Sequence, residues 1–327
     1  MQPQVLISKA LPLDTHDPLW IELNKMAKIV VRPKTARKPL VEMPEVRESN
    51  LVVSMVSDIV NSRFFDRAKQ LHAIVNYGVG YNNIDLSEAK RRGIVVCNTP
   101  DVLTNATAEL TIGLIFAAAR RFKEGTEFLR TRKYKGWSPC FLLGKEIKGS
   151  TLGIMGFGRI GQSVAQKAKA LGMNVLFYSP NHKASKDFKQ VSLDELLRQS
   201  DFFSIHCALN EKTNGCISHK EFSKMKQSAY IINTSRGEII DELALIKALN
   251  KNQISGAALD VFCNEPNLKP QLRAHSKVFV LPHIGSATSQ ARQGMARLAV
   301  SAIVEILKGK TPTNRVDLSR WNSIQEN

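Results

Sequence analysis

Six residues, Gly156-Phe157-Gly158-Arg159-Ile160-Gly161, follow the apolar run Thr151-Leu152-Gly153-Ile154-Met155 and open a helical pattern. Glycines at this spacing let a backbone wrap an anion. Gly156 permits the tight turn, Gly158 lets the chain approach a pyrophosphate, and Gly161 lets the helix pack on the strand. The first helical N–H groups, at Arg159, Ile160 and Gly161, then face the phosphates with the positive end of the helix dipole behind them. The spacing alone recurs in many glycine turns; its place between a strand and a helix is what points to a dinucleotide.

The end of the next strand selects the dinucleotide. A chain that binds NAD usually carries Asp or Glu there, about 20 residues beyond the glycines, for the ribose 2′-hydroxyl. Here the segment is Phe177-Tyr178-Ser179-Pro180-Asn181-His182-Lys183, without a carboxylate. Ser179, Asn181 and Lys183 offer a hydroxyl, an amide and an ammonium, which suit a 2′-phosphate, so NADP(H) is expected over NAD(H). Plain surface charge at His182 and Lys183 is the ordinary alternative.

Three later segments also end strand-like runs, the place where open α/β sheets bind ligands. They are Asn233-Thr234-Ser235-Arg236-Gly237, Leu259-Asp260-Val261-Phe262-Cys263-Asn264-Glu265-Pro266, and Leu281-Pro282-His283-Ile284-Gly285-Ser286. Arg236, Glu265 and His283 bring a forked cation, a carboxylate and an imidazole. Singly, each has an ordinary reading: a surface arginine, a turn residue before proline, and a hydrogen-bonded core histidine.

The elements around these residues alternate. Short runs rich in β-branched residues at 5–8, 27–31, 51–56, 73–77 and 94–97 read as strands, with helices between them at 61–70 and 85–92. One long helix is predicted over 104–130, polar at its ends and apolar in its middle. The alternation restarts at Thr151, with strands predicted at 174–179, 201–206, 229–233, 257–261 and 278–281. Helices lie between them, several behind capping boxes such as Ser192-x-x-Glu195 and Ser218-x-x-Glu221. The last helix, 288–308, is amphipathic. Strands alternating with helices predict α/β units built on parallel sheets.

The chain has 327 residues, a length suited to two domains, and its 43% hydrophobic and 23% charged content is that of a globular enzyme rather than a disordered chain. The longest uncharged apolar run, 110–119, is too short to span a membrane. The first residues lack a signal peptide's basic start, apolar run and cleavage site, so a cytoplasmic protein is expected. Cys97, Cys140, Cys207, Cys216 and Cys263 are scattered, with no CxxC pair and no zinc spacing; reduced thiols and no metal are expected. Forty-six basic against 29 acidic residues give a formal net charge of +17. That balance admits polyanions in general, but no nucleic-acid motif accompanies the densest basic stretch, 120–135, so no nucleic-acid partner is expected.

Together with Asn76-Tyr77-Gly78-Val79-Gly80-Tyr81-Asn82-Asn83-Ile84-Asp85, the glycine motif, Arg236, Glu265-Pro266 and Pro282-His283 stand in the order of the D-isomer-specific 2-hydroxyacid dehydrogenase family, which the chain resembles from about residue 50 to 309. Within that family it looks closest to the glyoxylate/hydroxypyruvate and 2-ketogluconate reductases. The resemblance implies an α/β fold with a Rossmann-type dinucleotide-binding domain, 101–287, inserted into a flavodoxin-like substrate domain made of 1–100 and 288–327. It implies NAD(P)H-dependent reduction of a small 2-keto acid to the D-2-hydroxy acid, and a homodimer formed through about 104–144.

The family's roles fit the side chains. Arg236 suits a carboxylate and a polarised carbonyl, and the backbone N–H groups of Val79 and Gly80 would also hold the carboxylate. His283 would give the proton in reduction and take it in oxidation. Glu265 would orient the imidazole and stabilise its charged form. Asp260 resembles the residue that binds the nicotinamide carboxamide. Ala208 stands where the family usually has proline, which bears on loop stiffness near the cofactor. Two rivals share the scaffold: a nucleotide-sensing corepressor, and phosphoglycerate dehydrogenase, many of which carry a regulatory extension that this chain, ending at Asn327, does not show.

Overall fold

The computed structural model describes residues 2–33, 35, 38–180 and 185–319. The chain forms two compact units: Met1–Leu103 with Ala287–Asn327, and Thr104–Ser286. In sequence, the second interrupts the first.

The first unit runs β1 (Gln4–Ile7), α1 (Pro18–Met26), β2 (Lys28–Val31), β3 (Leu51–Met55), α2 (Ser62–Arg67), β4 (Ala73–Tyr77), α3 (Leu86–Arg91) and β5 (Val95–Cys97). Among the described residues its sheet has five parallel strands in the order β2-β1-β3-β4-β5, the flavodoxin-like order. β1, β3 and β4 are buried along their whole length, which is why they read as continuous apolar runs rather than alternating ones. The Asp85 carboxylate accepts the Glu88 N–H at 3.0 Å and starts α3.

The second unit runs α4 (Thr104–Ala119), α5 (Phe122–Arg130), β6 (Thr151–Met155), α6 (Arg159–Ala170), β7 (Asn174–Tyr178), β8 (Lys189–Gln190), α7 (Leu193–Gln199), β9 (Phe202–Ile205), α8 (His219–Phe222), β10 (Tyr230–Asn233), α9 (Glu242–Asn250), β11 (Gly256–Leu259), α10 (Pro270–Ala274) and β12 (Val278–Val280). The chain then re-enters the first unit as α11 (Ser289–Leu307), which packs on α1 and β4. Among the described residues the second sheet has seven parallel strands, β12-β11-β10-β9-β6-β7-β8. The chain leaves β6 toward β7 and returns to its other side at β9, so the switch point lies beside β6. Phe202, Phe203, Ile231 and Ile232 are fully buried in its central strands, each contributing about 1.5–3 kcal/mol of apolar burial.

One predicted element is corrected. The periodicity over 104–130 predicts a single helix; the structure breaks it into α4 and α5 at Arg120–Arg121, where Arg121 takes φ +55°. The Ala119 carbonyl accepts the Lys145 N–H at 2.8 Å. Arg121 turns to pair with Glu124 at 2.7 Å. Among the described residues, no helix is long and apolar enough to cross a membrane.

Candidate active site

The glycine turn follows β6 at the switch point. Gly156 has φ +96°, and a Cβ there would come 2.4 Å from the Cys207 nitrogen, in the segment after β9. Its N–H donates to the Tyr178 carbonyl at 2.8 Å, so β7 also holds the turn. A Cβ at Gly161 would meet the Gly156 carbonyl oxygen at 2.3 Å. At Gly158 the space where a Cβ would stand is open to 4 Å, and this residue caps α6 without a side-chain bond. The first-turn N–H groups of α6 have no intrahelical acceptors. Open space before a helix N-terminus, with backbone close-packed behind it, fits the pyrophosphate of a dinucleotide. Ser179 directly follows β7, and its carbonyl accepts from Gln190 Nε2 at 2.9 Å. Asn181 and Lys183, expected at the adenosine 2′ position, lie outside the described residues.

His206 follows β9 beside this turn. Its Nε2 is 2.8 Å from Ser204 Oγ, and burial pushes its pKa down to about 3 from 6.5. This imidazole is therefore neutral at working pH, with one ring nitrogen a donor and the other an acceptor. The depressed pKa also sets a sign for acid stability. Between about pH 6.5 and about pH 3 the unfolded chain binds a proton the folded one refuses, so stability falls as pH drops through that window. Replacing His206 by Asn is expected to flatten this part of the acid limb. Melting temperatures from about pH 7 to about pH 4 check it; equal acid sensitivity in parent and variant would refute the assignment.

The acid–base pair lies beyond β11 and β12. His283 Nδ1 is 2.7 Å from Glu265 Oε2, with both side chains about one-third exposed, at 31% and 32%. A carboxylate only accepts, so the pair places the proton on Nδ1 and leaves Nε2 as the reacting atom. Glu265 Oε1 accepts the Phe262 N–H at 3.3 Å, which fixes the other end of the carboxylate. His283 has φ +55°, a left-handed conformation costly for a residue with a Cβ.

Asp260 holds that loop in place. Its carbonyl accepts the His283 N–H at 2.8 Å, Oδ1 accepts the Ile284 N–H at 2.8 Å, and Oδ2 accepts the Gly285 N–H at 2.7 Å. Asp260 is fully buried; desolvation raises its pKa from the ordinary carboxylate value, and the two backbone donors work against that rise. One lone pair remains on each oxygen.

Arg236 follows β10 and lies within electrostatic reach of the Glu265 carboxylate. Burial lowers its pKa from the ordinary guanidinium value, while Glu265 and then Glu238 oppose the shift. Its Nη1 donates to the Ser235 carbonyl at 2.8 Å. The turn is laced by Asn233, whose Oδ1 accepts the Ser235 N–H at 2.9 Å and whose Nδ2 donates to the Arg236 carbonyl at 2.7 Å. Ser235 Oγ donates to the Cys207 carbonyl. Gly237 lies so close to the β11 loop that a Cβ would fall 2.1 Å from the Phe262 carbonyl carbon. That approach brings the arginine turn against the loop that carries Glu265.

Glu242 plays a part its sequence position does not announce. As the first residue of α9 it reads as a helix-start acid, yet its side chain is 4% exposed. It accepts the Cys263 N–H at 2.7 Å and lies 3.5 Å from Lys269 Nζ, bracing the loop before Glu265 from behind. Only an Asn or Glu next to a functional turn could have hinted at Asn233 and Glu242. Among the described residues, no group of three or more His, Cys, Asp or Glu side chains is placed to hold a metal ion. Val79 and Gly80 belong to the first unit, in the loop after β4.

Residues 112–285 match the family model described as "D-isomer specific 2-hydroxyacid dehydrogenase, NAD binding domain". The glyoxylate reductase of Thermococcus litoralis is 42% identical over 325 residues, 97% of either chain. A crystal structure of the TT0316 protein of Thermus thermophilus superposes with a TM-score of 0.88 at 38% identity, over 96% of this chain and 100% of that one. The NADPH-dependent glyoxylate/hydroxypyruvate reductase of Sinorhizobium meliloti, solved with NADP and malonate, gives 0.86 at 27% identity over 98% of each chain. A dinucleotide cradle, an arginine turn and a carboxylate-paired histidine thus come together in a chain that belongs to the D-isomer-specific 2-hydroxyacid dehydrogenase family, oxidoreductases acting on a CH–OH group with NAD(P).

Proposed function

We propose that this chain reduces a small 2-keto acid (glyoxylate, hydroxypyruvate or 2-ketogluconate) to the D-2-hydroxy acid, with NADPH preferred over NADH. The observation that carries the reading is the 2.7 Å His283–Glu265 pair with Arg236 beside its carboxylate. A bound nicotinamide supplies the hydride in reduction. His283 Nε2 donates the proton to the carbonyl oxygen and takes it back in oxidation. Arg236 pairs with the substrate carboxylate and polarises the carbonyl, and the Val79 and Gly80 amides hold the same carboxylate. Glu265 keeps the imidazole in one tautomer and one orientation through Nδ1. Asp260 can accept from the nicotinamide carboxamide with its remaining lone pairs. Gly156, Gly158, Arg159, Ile160 and Gly161 carry the pyrophosphate. Names of relatives favour glyoxylate or hydroxypyruvate. Initial rates with a panel of keto acids against both cofactors test the reading; no turnover with any of them sinks it.

The cofactor preference rests on Ser179, Asn181 and Lys183 and has its own test. Ser179→Asp would bond a free ribose 2′-hydroxyl and repel a 2′-phosphate, so it is expected to reverse the preference. Hydrogen bonds to charged groups net about 1.5–3 kcal/mol, so loss of one or two changes the kcat/KM ratio by about tenfold or more. Rising salt should weaken NADPH more than NADH by screening Lys183. A parent that clearly prefers NADH refutes this part alone.

The chain is further proposed to form a homodimer through α5 and the segment after it. Trp137 is 83% exposed, and Phe122, Leu129, Tyr134, Phe141 and Leu143 are exposed in the same stretch of chain. Apolar side chains so concentrated mark a protein contact. Light scattering should give twice the chain mass, and Leu129→Asp with Trp137→Asp should halve it; a monomeric parent overturns the proposal.

A further inference from the structure

Two peptide planes carry the N–H groups of Val79 and Gly80. A trans peptide is planar with its C=O and N–H on opposite sides, so whatever holds the carbonyl aims the amide. The only cis bond among the described residues is Glu265–Pro266. In the first plane the Gly78 carbonyl accepts the Thr99 N–H at 3.0 Å; in the second the Val79 carbonyl accepts from Asn98 Nδ2 at 2.8 Å. Both carbonyls therefore turn toward residues 98–99, just after β5, and both N–H groups turn away from them. The next carbonyl, that of Gly80, accepts from the fully buried Asn76 through Nδ2 at 2.8 Å. Among the described residues, the Val79 and Gly80 N–H groups have no intramolecular acceptor. The loop is thus tied down by its carbonyls and offers two adjacent donors, an arrangement suited to an anion.

Asn98 is itself gripped from both sides by the segment after α11. Its N–H donates to the Asn314 carbonyl at 3.2 Å, and its carbonyl accepts from Asn314 Nδ2 at 2.6 Å. The grip continues along β5: Arg315 bridges antiparallel to Cys97, and the Val316 N–H donates to the Val96 carbonyl at 2.8 Å. Asn314 is buried, although it lies in an otherwise irregular stretch. The chain's return after α11 thus ends on the residue that fixes the second peptide plane.

We propose that Asn98, clamped by Asn314, is a positioning residue that aims the Val79 and Gly80 amides at the substrate carboxylate. The proposal rests on the keto-acid reading above and goes beyond it by naming what preorganises the carboxylate contact. Without the Nδ2 donor the Val79–Gly80 plane can rotate, and one of the two donors to the carboxylate is lost. Asn98→Asp has a stronger effect than Asn98→Ala, because it sets a carboxylate oxygen against the Val79 carbonyl and a negative charge beside the anion.

The test is steady-state turnover of glyoxylate with NADPH, together with NADPH affinity by fluorescence titration and melting temperature. Asn98→Ala is expected to raise the glyoxylate KM by about tenfold, with kcat within about threefold, the signature of lost uniform binding. Asn98→Asp should raise KM further. Asn314→Ala, which touches no substrate group in this reading, should raise it a few-fold. NADPH affinity should stay within about twofold in all three, since the cofactor cradle lies in the other unit. A parent that turns over no keto acid sinks the functional reading and this proposal with it. A parent that turns over, with Asn98 variants of unchanged KM, sinks this proposal alone. Lower kcat and melting temperature at constant KM would mark Asn98 as merely structural and also overturn it. If Asn98→Ala does not fold, Asn314→Ala decides: an unchanged glyoxylate KM there overturns the clamp.

Discussion

His283→Ala or His283→Asn is expected to cost on the order of 10²–10⁴ in turnover of a 2-keto acid, the usual contribution of a positioned general acid. Affinity for the dinucleotide should change little, because the pyrophosphate cradle at Gly156–Gly161 is built from other elements. Single-turnover rates and nucleotide titration separate the two effects. The companion change Glu265→Gln removes the negative charge 2.7 Å from Nδ1 but keeps a hydrogen-bond acceptor. Its amide can turn an NH2 group toward the ring, so the imidazole is no longer held to one tautomer and one orientation, and kcat should fall while nucleotide affinity holds. An unchanged kcat in Glu265→Gln would remove Glu265 from its role.

The parts of this site legible in the sequence are those whose signal is local. The glycine spacing between an apolar run and a helical pattern is local, and so are the apolar runs of β6, β9, β10 and β11, buried on both faces by the parallel sheet. Arg236, Glu265 and His283 lie on three different strand-end loops, and nothing in their own neighbourhoods joins them. Only the family order of motifs groups the three in the sequence; in the fold His283 Nδ1 lies 2.7 Å from Glu265 Oε2. What stayed hidden has no periodicity. Asn233, Glu242 and the loop-holding side of Asp260 act through single hydrogen bonds to backbone that only the tertiary fold brings near. The break between α4 and α5 carries no Gly or Pro; it comes from the Lys145 N–H taking the Ala119 carbonyl. The helix α1 is absent from the predicted elements although Asp17-Pro18 starts it, with the Asp17 carboxylate accepting the Leu19 N–H at 3.0 Å.

Arg236→Lys keeps the positive charge and is still expected to impair keto-acid turnover severely. The guanidinium is planar and offers five donors in a fixed fork, whereas an ammonium is a point charge on a flexible stem. At this position the difference is felt twice. The arginine turn is fixed by Asn233 and by the close approach of Gly237 to the Phe262 backbone, so a shorter head group cannot recover its reach by moving the main chain. Nη1 is also committed to the Ser235 carbonyl, which orients the plane of the fork; an ammonium making the same bond has no rigid partner donor to present to a carboxylate. Hydrogen bonds to charged groups are worth about 1.5–3 kcal/mol each, so losing one arm of a bidentate contact lowers kcat/KM by roughly tenfold to a hundredfold. Loss of the polarised carbonyl would add to that through kcat. Half-buried positive charge survives in the lysine variant, with Glu265 and Glu238 still near, so the fold and nucleotide affinity should hold. The measurement is kcat/KM for a keto acid beside NADPH affinity in the same preparation. Should Arg236→Lys leave kcat/KM unchanged, Arg236 is an ordinary partly exposed arginine and the carboxylate must be anchored elsewhere.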